Sequence, residues 1–507
     1  MTEGARGPRR SRAVLVALAS GLLTAFAFPG PDLGLLALVS LVPLLWLWSE
    51  CRPRDAALYG FVAGLAFFGF HLSWTWYFGA VAIGPLVALQ AAYWAAVGAL
   101  VAFLAGRRVR SPFVVAAVWV LGEALRTRWP LGGLAWGQTG VALHDFAFAR
   151  ALASWGGVPL ATYLVIAFGA ALVVVLQRMR AGGYEWRAFA PLVIVVVVTA
   201  VLTVGRFDPK PTGSLRFALL QGNDKNRYLT QAEFDTAYLT RSHLALAHRL
   251  RGPYDLIVFP ESSLMSDPET DPALKAELTR IGRAHGSWIM ANVIDGTTER
   301  GKEFNANRLY DPNGRLVGTY AKQHLVPFGE YVPWRDSLSF ISELQQIPHD
   351  FTPGHRMGIE TVAGHPIGSV ICFESAFGPM MRANAAAGAE AIVVTTNNRS
   401  YRRSANSSQH VALSQMSAAA IGRPVLHSSI SGITAVIDAD GVVHRTTDLF
   451  RNTVVTGRVT TTTGRTPYVR WGDWVEWGSA MIVVGALGFA FRPRRKLPAP
   501  VDQGSEA

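Results

Sequence analysis

Gly368-Ser369-Val370-Ile371-Cys372-Phe373-Glu374-Ser375 sets one of the chain's two cysteines at the end of a short apolar run of strand character, with a carboxylate two positions on. A thiol so placed is either a small buried packing residue or a nucleophile. Two other segments bear on the choice: Val258-Phe259-Pro260-Glu261-Ser262 and Tyr320-Ala321-Lys322-Gln323-His324. Each has a plain reading of its own. Glu261 could be an acid at a helix start made by Ser262 and Ser263, and Lys322 a solvated loop cation. Together they meet the needs of acyl transfer. Glu261, partly desolvated at a strand end, is the candidate base and Cys372 the nucleophile. Lys322 and the backbone N–H of Phe373 are the candidate donors to a tetrahedral oxyanion. The Lys322 ammonium is also expected to favour the thiolate.

The rest of the 507-residue chain is half apolar and carries few charges, a composition that suits a membrane protein. Its apolar residues fall in eight blocks: Ala13–Phe28, Leu33–Trp48, Ala56–Ala80, Ala82–Leu104, Val114–Leu125, Val158–Leu176, Phe189–Val204 and Trp477–Phe491. A spanning helix needs roughly 20 apolar residues, so the shorter blocks must borrow flanking residues or lean on neighbours. Sixteen Lys/Arg fall before the first block or in every second connection: Arg6, Arg9, Arg10 and Arg12; Arg52 and Arg54; Arg107, Arg108 and Arg110; Arg178, Arg180 and Arg187; Arg492, Arg494, Arg495 and Lys496. The other short connections carry none, apart from Arg126, Arg128 and Arg150 in the longer fifth-to-sixth loop. The positive-inside rule then puts both termini in the cytoplasm.

The expected organisation is a cytoplasmic segment 1–12, membrane helices 1–7 over 13–205, an extracytoplasmic domain 206–473, an eighth helix over 474–492 and a cytoplasmic tail 493–507. The net charge of +12 resides in the inner loops, because residues 206–473 hold 28 Lys/Arg against 25 Asp/Glu. Nothing suggests a nucleic-acid partner. Cys51 and Cys372 fall on opposite sides of the membrane in this scheme and cannot pair. Ala25-Phe26-Ala27 also fits a cleaved signal, but the next apolar block follows too closely for that reading.

Between the seventh and eighth blocks short strand-like runs alternate with helical patterns. Leu215–Leu220, Leu256–Phe259, Trp288–Val293, Val317–Tyr320, Ile367–Ile371, Ala391–Thr395, Val425–Ser428, Ile433–Ile437 and Thr453–Val459 read as strands. Gln231–Arg251, Pro272–His285, Phe377–Ala387 and Gln409–Ile421 read as helices. Asp311-Pro312-Asn313-Gly314 and Asp438-Ala439-Asp440-Gly441 are hairpin signals. The alternation predicts a layered α/β domain.

The three reactive segments resemble the Glu–Lys–Cys motifs of the nitrilase superfamily. With the membrane blocks, the chain over about residues 12–492 resembles the apolipoprotein N-acyltransferase family. The most specific match is Lys322-Gln323-His324-Leu325-Val326-Pro327-Phe328-Gly329-Glu330-Tyr331-Val332-Pro333, supported by Gln221-Gly222-Asn223, Gln409-His410, Gly422-Arg423-Pro424 and Gly432-Ile433-Thr434-Ala435-Val436. The resemblance implies a bundle of about eight membrane helices with an extracytoplasmic nitrilase-like α-β-β-α sandwich, in the cytoplasmic membrane of a bacterium. It implies acyl transfer by a ping-pong route through a Cys372 thioester, with no cofactor. The donor would be a phospholipid, and the acceptor the α-amine of the diacylglyceryl-cysteine at a prolipoprotein N-terminus. Glu261 would be base and then acid, with Lys322 on the oxyanion. Glu330 and Glu374 would be supporting carboxylates, and the enzyme a monomer.

The sequence departs from the family pattern in places. Phe373 stands where the family has Tyr, so one hydroxyl is missing. Asn397-Asn398-Arg399-Ser400-Tyr401-Arg402 replaces Asn-Asp-Ala-Trp-Phe-Gly, and Ala420 replaces a glutamate.

His324, Phe328, Tyr331, Trp334, Leu338, Phe340 and Ile341 form an apolar-aromatic arm expected to face lipid. Trp74, Trp76, Tyr77 and Phe78 read as an interfacial belt. His71 reads as a packed residue, and Glu123 as an acid that snorkels outward or pairs with Arg126. Scattered histidines predict no metal site. A dyad of Cys372 with His324 or His410 would leave Glu261 and Lys322 unexplained. The alternative function is a membrane-tethered amidase of the same superfamily, and a transporter would need more polar residues within the spans.

Overall fold

The apolar blocks form helices, described in a computed structural model over residues 10–182, 185–295, 303–338, 340, 344 and 349–492. Seven precede the sheets: α1 (Arg10–Phe26), α2 (Val42–Glu50), α3 (Pro53–His71), α4 (Ala80–Gly106), α5 (Pro112–Arg126), α6 (Ala147–Arg180) and α7 (Ala190–Val204). Three helical segments are long and apolar enough to cross a membrane: Ala80–Gly106, Ala147–Arg180 and Trp186–Val204. Of the about eight membrane helices expected, three meet the length and apolarity of a full span among the described residues.

The physical reasons are local. The second block breaks between a short 3-10 helix, Gly34–Leu38, and α2. The third ends at His71 and passes into a 3-10 turn, Ser73–Phe78. The fifth is only 15 residues long. The sixth runs longer than expected, from Ala147, through a kink at Gly156 and Gly157. Gly157 has φ +67, and a Cβ there would meet the Tyr468 ring at 2.8 Å, so the kink requires glycine. α7 buries only Val195 and turns its other valines outward, an apolar surface that calls for lipid. The N-terminal residues 1–9, the tail 493–507 and Ile341 lie outside the described residues.

Residues 210–463 build two six-stranded sheets. The first runs β12 (Thr453–Thr463), β1 (Lys210–Gln221), β2 (Leu256–Phe259), β3 (Trp288–Asp295), β4 (Phe304–Tyr310), β5 (Leu316–Ala321). The second runs β11 (Val443–Thr446), β10 (Ala435–Ile437), β9 (Val425–Ser429), β8 (Ala391–Thr396), β7 (His365–Ile371), β6 (Gly358–Val362). The central strands are parallel and the outer ones antiparallel. Period-two patterning explains the layers. Leu215, Phe217 and Leu219 of β1 meet Ile367, Val393 and Leu426 between the sheets. Ala218 and Leu220 face outward with helices α9 (Tyr238–His248) and α10 (Pro272–His285), after the single-turn α8 (Gln231–Asp235). The expected single helix over Gln231–Arg251 is thus two, parted at Ala237, which has φ +47.

The outer face of the second sheet is covered by α11 (Gly378–Ala386) and α12 (Asn406–Ile421). Every residue of α12 except Ser408 is buried, because its small residues also pack against α6. The outer face of the second sheet and the membrane helices thereby share one continuous apolar cluster, separate from the core between the sheets. After β12, α13 (Pro467–Trp471) leads into α14 (Trp474–Ala490).

A polar junction ties the two regions together. His144, in the α5–α6 loop, lies 2.9 Å from Gln415 of α12 and bonds Asp32 at 3.1 Å and Asp145 at 3.2 Å. These acids and the imidazole bring ligand-type atoms within 4.8 Å of one another. Both ring nitrogens point at the carboxylates, the arrangement of an ion-paired imidazolium. Burial opposes its charge, but Asp145 and Asp32 outweigh burial and raise it to about 9. A raised histidine stabilises fully below its unfolded value of 6.5, and that contribution is lost as pH rises through about 9. The Tm of the purified protein should therefore fall between those limits, and His144→Gln should flatten that slope. Equal slopes in both proteins would refute the assignment.

Candidate active site

The chain turns sharply at the end of β7. Cys372 takes φ +50, a left-handed conformation that costs a non-glycine residue about 1 kcal/mol or more. The strain lifts the thiol off the sheet end toward two groups from the other sheet. Lys322 follows β5, and Glu261 follows β2 after Pro260. The Lys322 ammonium lies 2.8 Å from Glu330 and 3.5 Å from Glu261. The Cys372 sulfur accepts from Thr396 Oγ1 at 3.2 Å and lies close enough to Glu261 and Lys322 to feel both charges. Glu261, Lys322, Glu330 and Cys372 are all buried.

The supporting amides were not read from the sequence. Asn305 Nδ2 donates to Glu261 and to Glu330, each at 2.8 Å, and so sets the two carboxylates around the ammonium. Asn292 donates to Asn305 and Asn307, Asn307 donates to Ser369, and Thr395 donates to Asn307. This buried amide ladder crosses from one sheet to the other, and it fixes the carboxylate side of the site against the thiol side. Its residues lie on β4 or at polar positions of other strands. β4 carries Asn305, Asn307 and Arg308 and gave no apolar signal.

Glu374 is fully buried and holds the site's other seam. It accepts from Tyr320 Oη, from the N–H groups of Gln323 (2.7 Å) and His324 (3.0 Å), and from the Ile371 N–H (2.7 Å). It therefore staples the Lys322 loop to the Cys372 turn, and does not touch Lys322 by hydrogen bond. Glu330 accepts from Lys322 and from the Val326 N–H at 2.8 Å.

Lys322 pulls the thiol toward its thiolate, as expected, but it is outweighed. Burial, then the charge of Glu261, push the Cys372 thiol up to about 12, and Lys322 only partly offsets them. The resting sulfur is thus a thiol, and the ammonium does not make it a standing thiolate. Burial also raises Glu261 above the usual carboxylate range, against the pull of Lys322, which makes it a stronger base. Burial works against the Lys322 charge, but Glu330 and Glu261 outweigh it and keep the amine protonated.

The histidine alternatives fail on geometry. His410 Nε2 faces Ser375 Oγ (2.7 Å) and the Cys372 carbonyl (3.1 Å), not the sulfur, and burial lowers it to about 4. His324 stacks on Phe377 at 4.0 Å and turns Nε2 to Gly132, where a Cβ would sit 2.7 Å away. The expected lipid-facing arm therefore divides. His324 packs inward and Tyr331 is half-buried, while Phe328, Trp334 and Phe340 are exposed. Phe373 stacks on Trp136, from the membrane-helix region, at 5.6 Å. Behind Phe377 lies a cavity of about 280 Å³ whose lining includes Val158, Met380, Leu413 and Met416.

Tyr401 is a further missed residue. Its ring meets Trp74 at 4.9 Å and Phe78 at 5.6 Å, while its phenol feels the charges of Cys372, Lys322, Glu261 and Glu330. The expected belt thus keeps Trp76, Tyr77 and Phe78 exposed but buries Trp74. His71 is packed, stacked on Phe67 and bonded to Gln409. Glu123 neither snorkels nor hydrogen-bonds Arg126. It accepts from Trp119, Thr139 and Thr162, while Arg126 donates to the Leu134 and Trp136 carbonyls.

Thr396→Val removes the hydroxyl donor to sulfur. Alkylation of Cys372 by iodoacetamide, followed by mass spectrometry, should slow about tenfold, since a charge-assisted bond to the forming thiolate is lost. An unchanged rate would exclude the Thr396 contact from thiolate stabilisation.

Comparison with known proteins agrees along the whole chain. Residues 20–171 match the family described as the apolipoprotein N-acyltransferase N-terminal domain, and residues 216–468 match carbon-nitrogen hydrolases. An apolipoprotein N-acyltransferase of Methylococcus capsulatus is 32% identical over 98% of this chain and 99% of its own length. Similar proteins of the same name from Azotobacter vinelandii and Geobacter metallireducens are 30% and 28% identical, over 96% and 95% of this chain and 96% of their own lengths.

Proposed function

The chain belongs to the apolipoprotein N-acyltransferase family, and from that premise we propose that it moves an acyl chain from a membrane phospholipid to the α-amine of a lipoprotein's N-terminal diacylglyceryl-cysteine. The observation that carries the reading is the buried meeting of Glu261, Lys322 and Cys372 on a sandwich whose second sheet packs its outer face, through α12, into the membrane helices. Glu261 takes the thiol proton as Cys372 Sγ attacks the ester carbonyl. Lys322 and the Phe373 N–H receive the oxyanion. Collapse breaks the ester C–O bond, and Glu261 returns the proton to the departing glycerol oxygen, which leaves a lysophospholipid. In the second half the neutral amine attacks the thioester. Glu261 takes the amine's proton and passes it to sulfur, which leaves as thiol. No cofactor is called for in either half.

Glu330 and Glu374 serve as positioning carboxylates. Phe328, Tyr331 and Trp334 serve as the lipid-facing part of the arm, with His324 as its inner wall. The cavity beyond Phe377, lined by Val158, Met380, Leu413 and Met416 with Arg128, Asp473 and Glu476 also on its wall, gives room for an alkyl chain. The positive-inside pattern favours a multi-pass protein of the bacterial cytoplasmic membrane with residues 206–473 outside. The shorter helices α1, α2, α3, α5 and α14 then lie in the bilayer beside the three long ones, with both termini inside. A monomer suffices, since every named group comes from one chain.

The test uses purified protein and a radiolabelled-acyl phospholipid. Wild type should acquire hydroxylamine-sensitive label, and Cys372→Ser none. A diacylglyceryl peptide should chase the label onto its amine. Label that passes only to water would assign a hydrolase, and label on Cys372→Ser would remove the thioester.

A further inference from the structure

The segment after β8 leaves the nucleophile directly, since Thr396 donates to Cys372 Sγ. Within the next seven residues it carries Arg399, Arg402 and Arg403. Among the described residues no carboxylate pairs with any of the three. Arg402 donates to the Asn226 carbonyl at 2.6 Å and lies over the Tyr228 ring at 4.9 Å, and Arg403 lies over Phe450 at 5.5 Å. Arg399 is largely enclosed, and its buried Nε has no hydrogen-bond partner among the described residues. Its charged neighbour is another cation, Arg402. The nearby acid Glu233 is already engaged by Arg227.

An enclosed guanidinium beside a second unpaired one is costly unless an anion joins them. The backbone gives the same indication. Arg402 has φ +54, a conformation that glycine adopts freely and arginine does not. A residue kept there against its backbone preference is kept for its side chain.

Depth identifies the anion. Tyr401, between these arginines, packs on Trp74 and Phe78 of the 3-10 turn whose Trp76, Tyr77 and Phe78 are exposed. Such aromatic belts mark the headgroup level of a bilayer. Thr396 at the head of the segment bonds the thiol and Tyr401 packs on Trp74, so the segment runs from the reacting thiol to the headgroup plane. An acyl ester at the thiol would leave its lipid's phosphate at the arginines. A planar guanidinium fork matches phosphate oxygens in pairs.

We propose that Arg399 and Arg402, flanked by Arg403, form the subsite for the donor's phosphate-bearing headgroup, and that this chain prefers anionic to zwitterionic phospholipid as acyl donor. The inference rests on the acyl-transfer reading and adds the class of donor to it. Zwitterionic lipid brings a cation of its own into a pocket that already holds uncompensated positive charge, whereas anionic lipid does not.

The experiment measures thioester formation by the full-length protein in mixed micelles with labelled phosphatidylglycerol or phosphatidylcholine. Wild type should show a KM about tenfold lower for the anionic lipid. Arg399→Gln and Arg402→Gln should each raise that KM five- to tenfold with kcat nearly unchanged, and bring the two lipids close to parity. Arg399→Lys should retain part of the preference. Iodoacetamide alkylation of Cys372 should proceed alike in all variants, which reports an intact fold and thiol. Equal KM values for both lipids in wild type, or a preference that survives in both Gln variants, would overturn the subsite. Inorganic phosphate should compete with the lipid in wild type and not in Arg399→Gln; phosphate binding at these arginines that leaves the KM for lipid unchanged would overturn the subsite, because the pocket would then serve a free anion. Absence of any labelled thioester in wild type would instead remove the acyl-transfer reading itself.

Discussion

Glu261→Gln should lower the rate of acyl-enzyme formation by about 10³ while the protein remains folded. Glutamine keeps the volume of the side chain and an oxygen for Asn305 Nδ2, which now donates at 2.8 Å. What it loses is basicity. The thiol that Glu261 must deprotonate is held up to about 12 by burial and by Glu261 itself, so at neutral pH almost none ionises unaided. The substitution also removes one of two carboxylates that balance Lys322, and Glu330 at 2.8 Å remains to hold the amine. Single-turnover labelling from phospholipid measures the effect. A loss of less than tenfold would mean that another group takes the proton.

The pH profile carries the same logic with a definite sign. Glu261 acts as base only when ionised, and burial raises its value above the ordinary 4.5. Acylation by wild type should therefore climb with pH along a limb set above that value. It should not wait for a limb near 8.5, where a free thiol titrates. In Glu261→Gln the lower limb should vanish and only thiol ionisation remain. A wild-type limb near 8.5 would show a sulfur that ionises independently of its carboxylate.

The two kinds of strand explain how much of this site was legible. β2 and β8, buried on both faces, appear as apolar runs, and β2 together with the Val370-Ile371 end of β7 frames Glu261 and Cys372 clearly. β4, β6 and β11 were missed. β4 buries Asn305, Asn307 and Arg308, residues that periodicity counts as solvent-facing. They are buried because each has a partner brought near by the fold: Asn305 bonds Glu261 and Glu330, Asn307 bonds Ser369 of the other sheet, and Arg308 pairs with Asp267. The membrane blocks show the reverse error. Hydropathy finds apolar stretches, but whether one helix fills a stretch depends on local breaks such as the 3-10 turns at Gly34–Leu38 and Ser73–Phe78. Arg399 and Tyr401 were visible as departures from a family pattern. Their meaning came only with the Trp74–Phe78 turn beside them.

Glu374→Ala should be the most damaging single change outside the reacting trio, and its effect should fall on stability as well as on rate. The carboxylate is fully buried between two chain turns, and it satisfies the N–H groups of Gln323, His324 and Ile371 together with the Tyr320 hydroxyl. Alanine leaves those four donors enclosed without acceptors. Each orphaned donor costs about 1–3 kcal/mol if no water enters, so the total rivals the whole stability of a domain. Glutamine is no remedy, because its amide nitrogen would place a donor against donors. Glu374→Ala should therefore yield little folded protein, with the Lys322 loop and the Cys372 turn the first regions to exchange amide hydrogens. Glu374→Asp, which keeps the charge on a shorter stem, should recover folding but leave Lys322 and Cys372 misaligned, with acyl-enzyme formation at least tenfold down. Hydrogen-exchange mass spectrometry on the two variants separates these effects. Wild-type protection of residues 320–324 in Glu374→Ala would show that this seam is held by something other than the carboxylate.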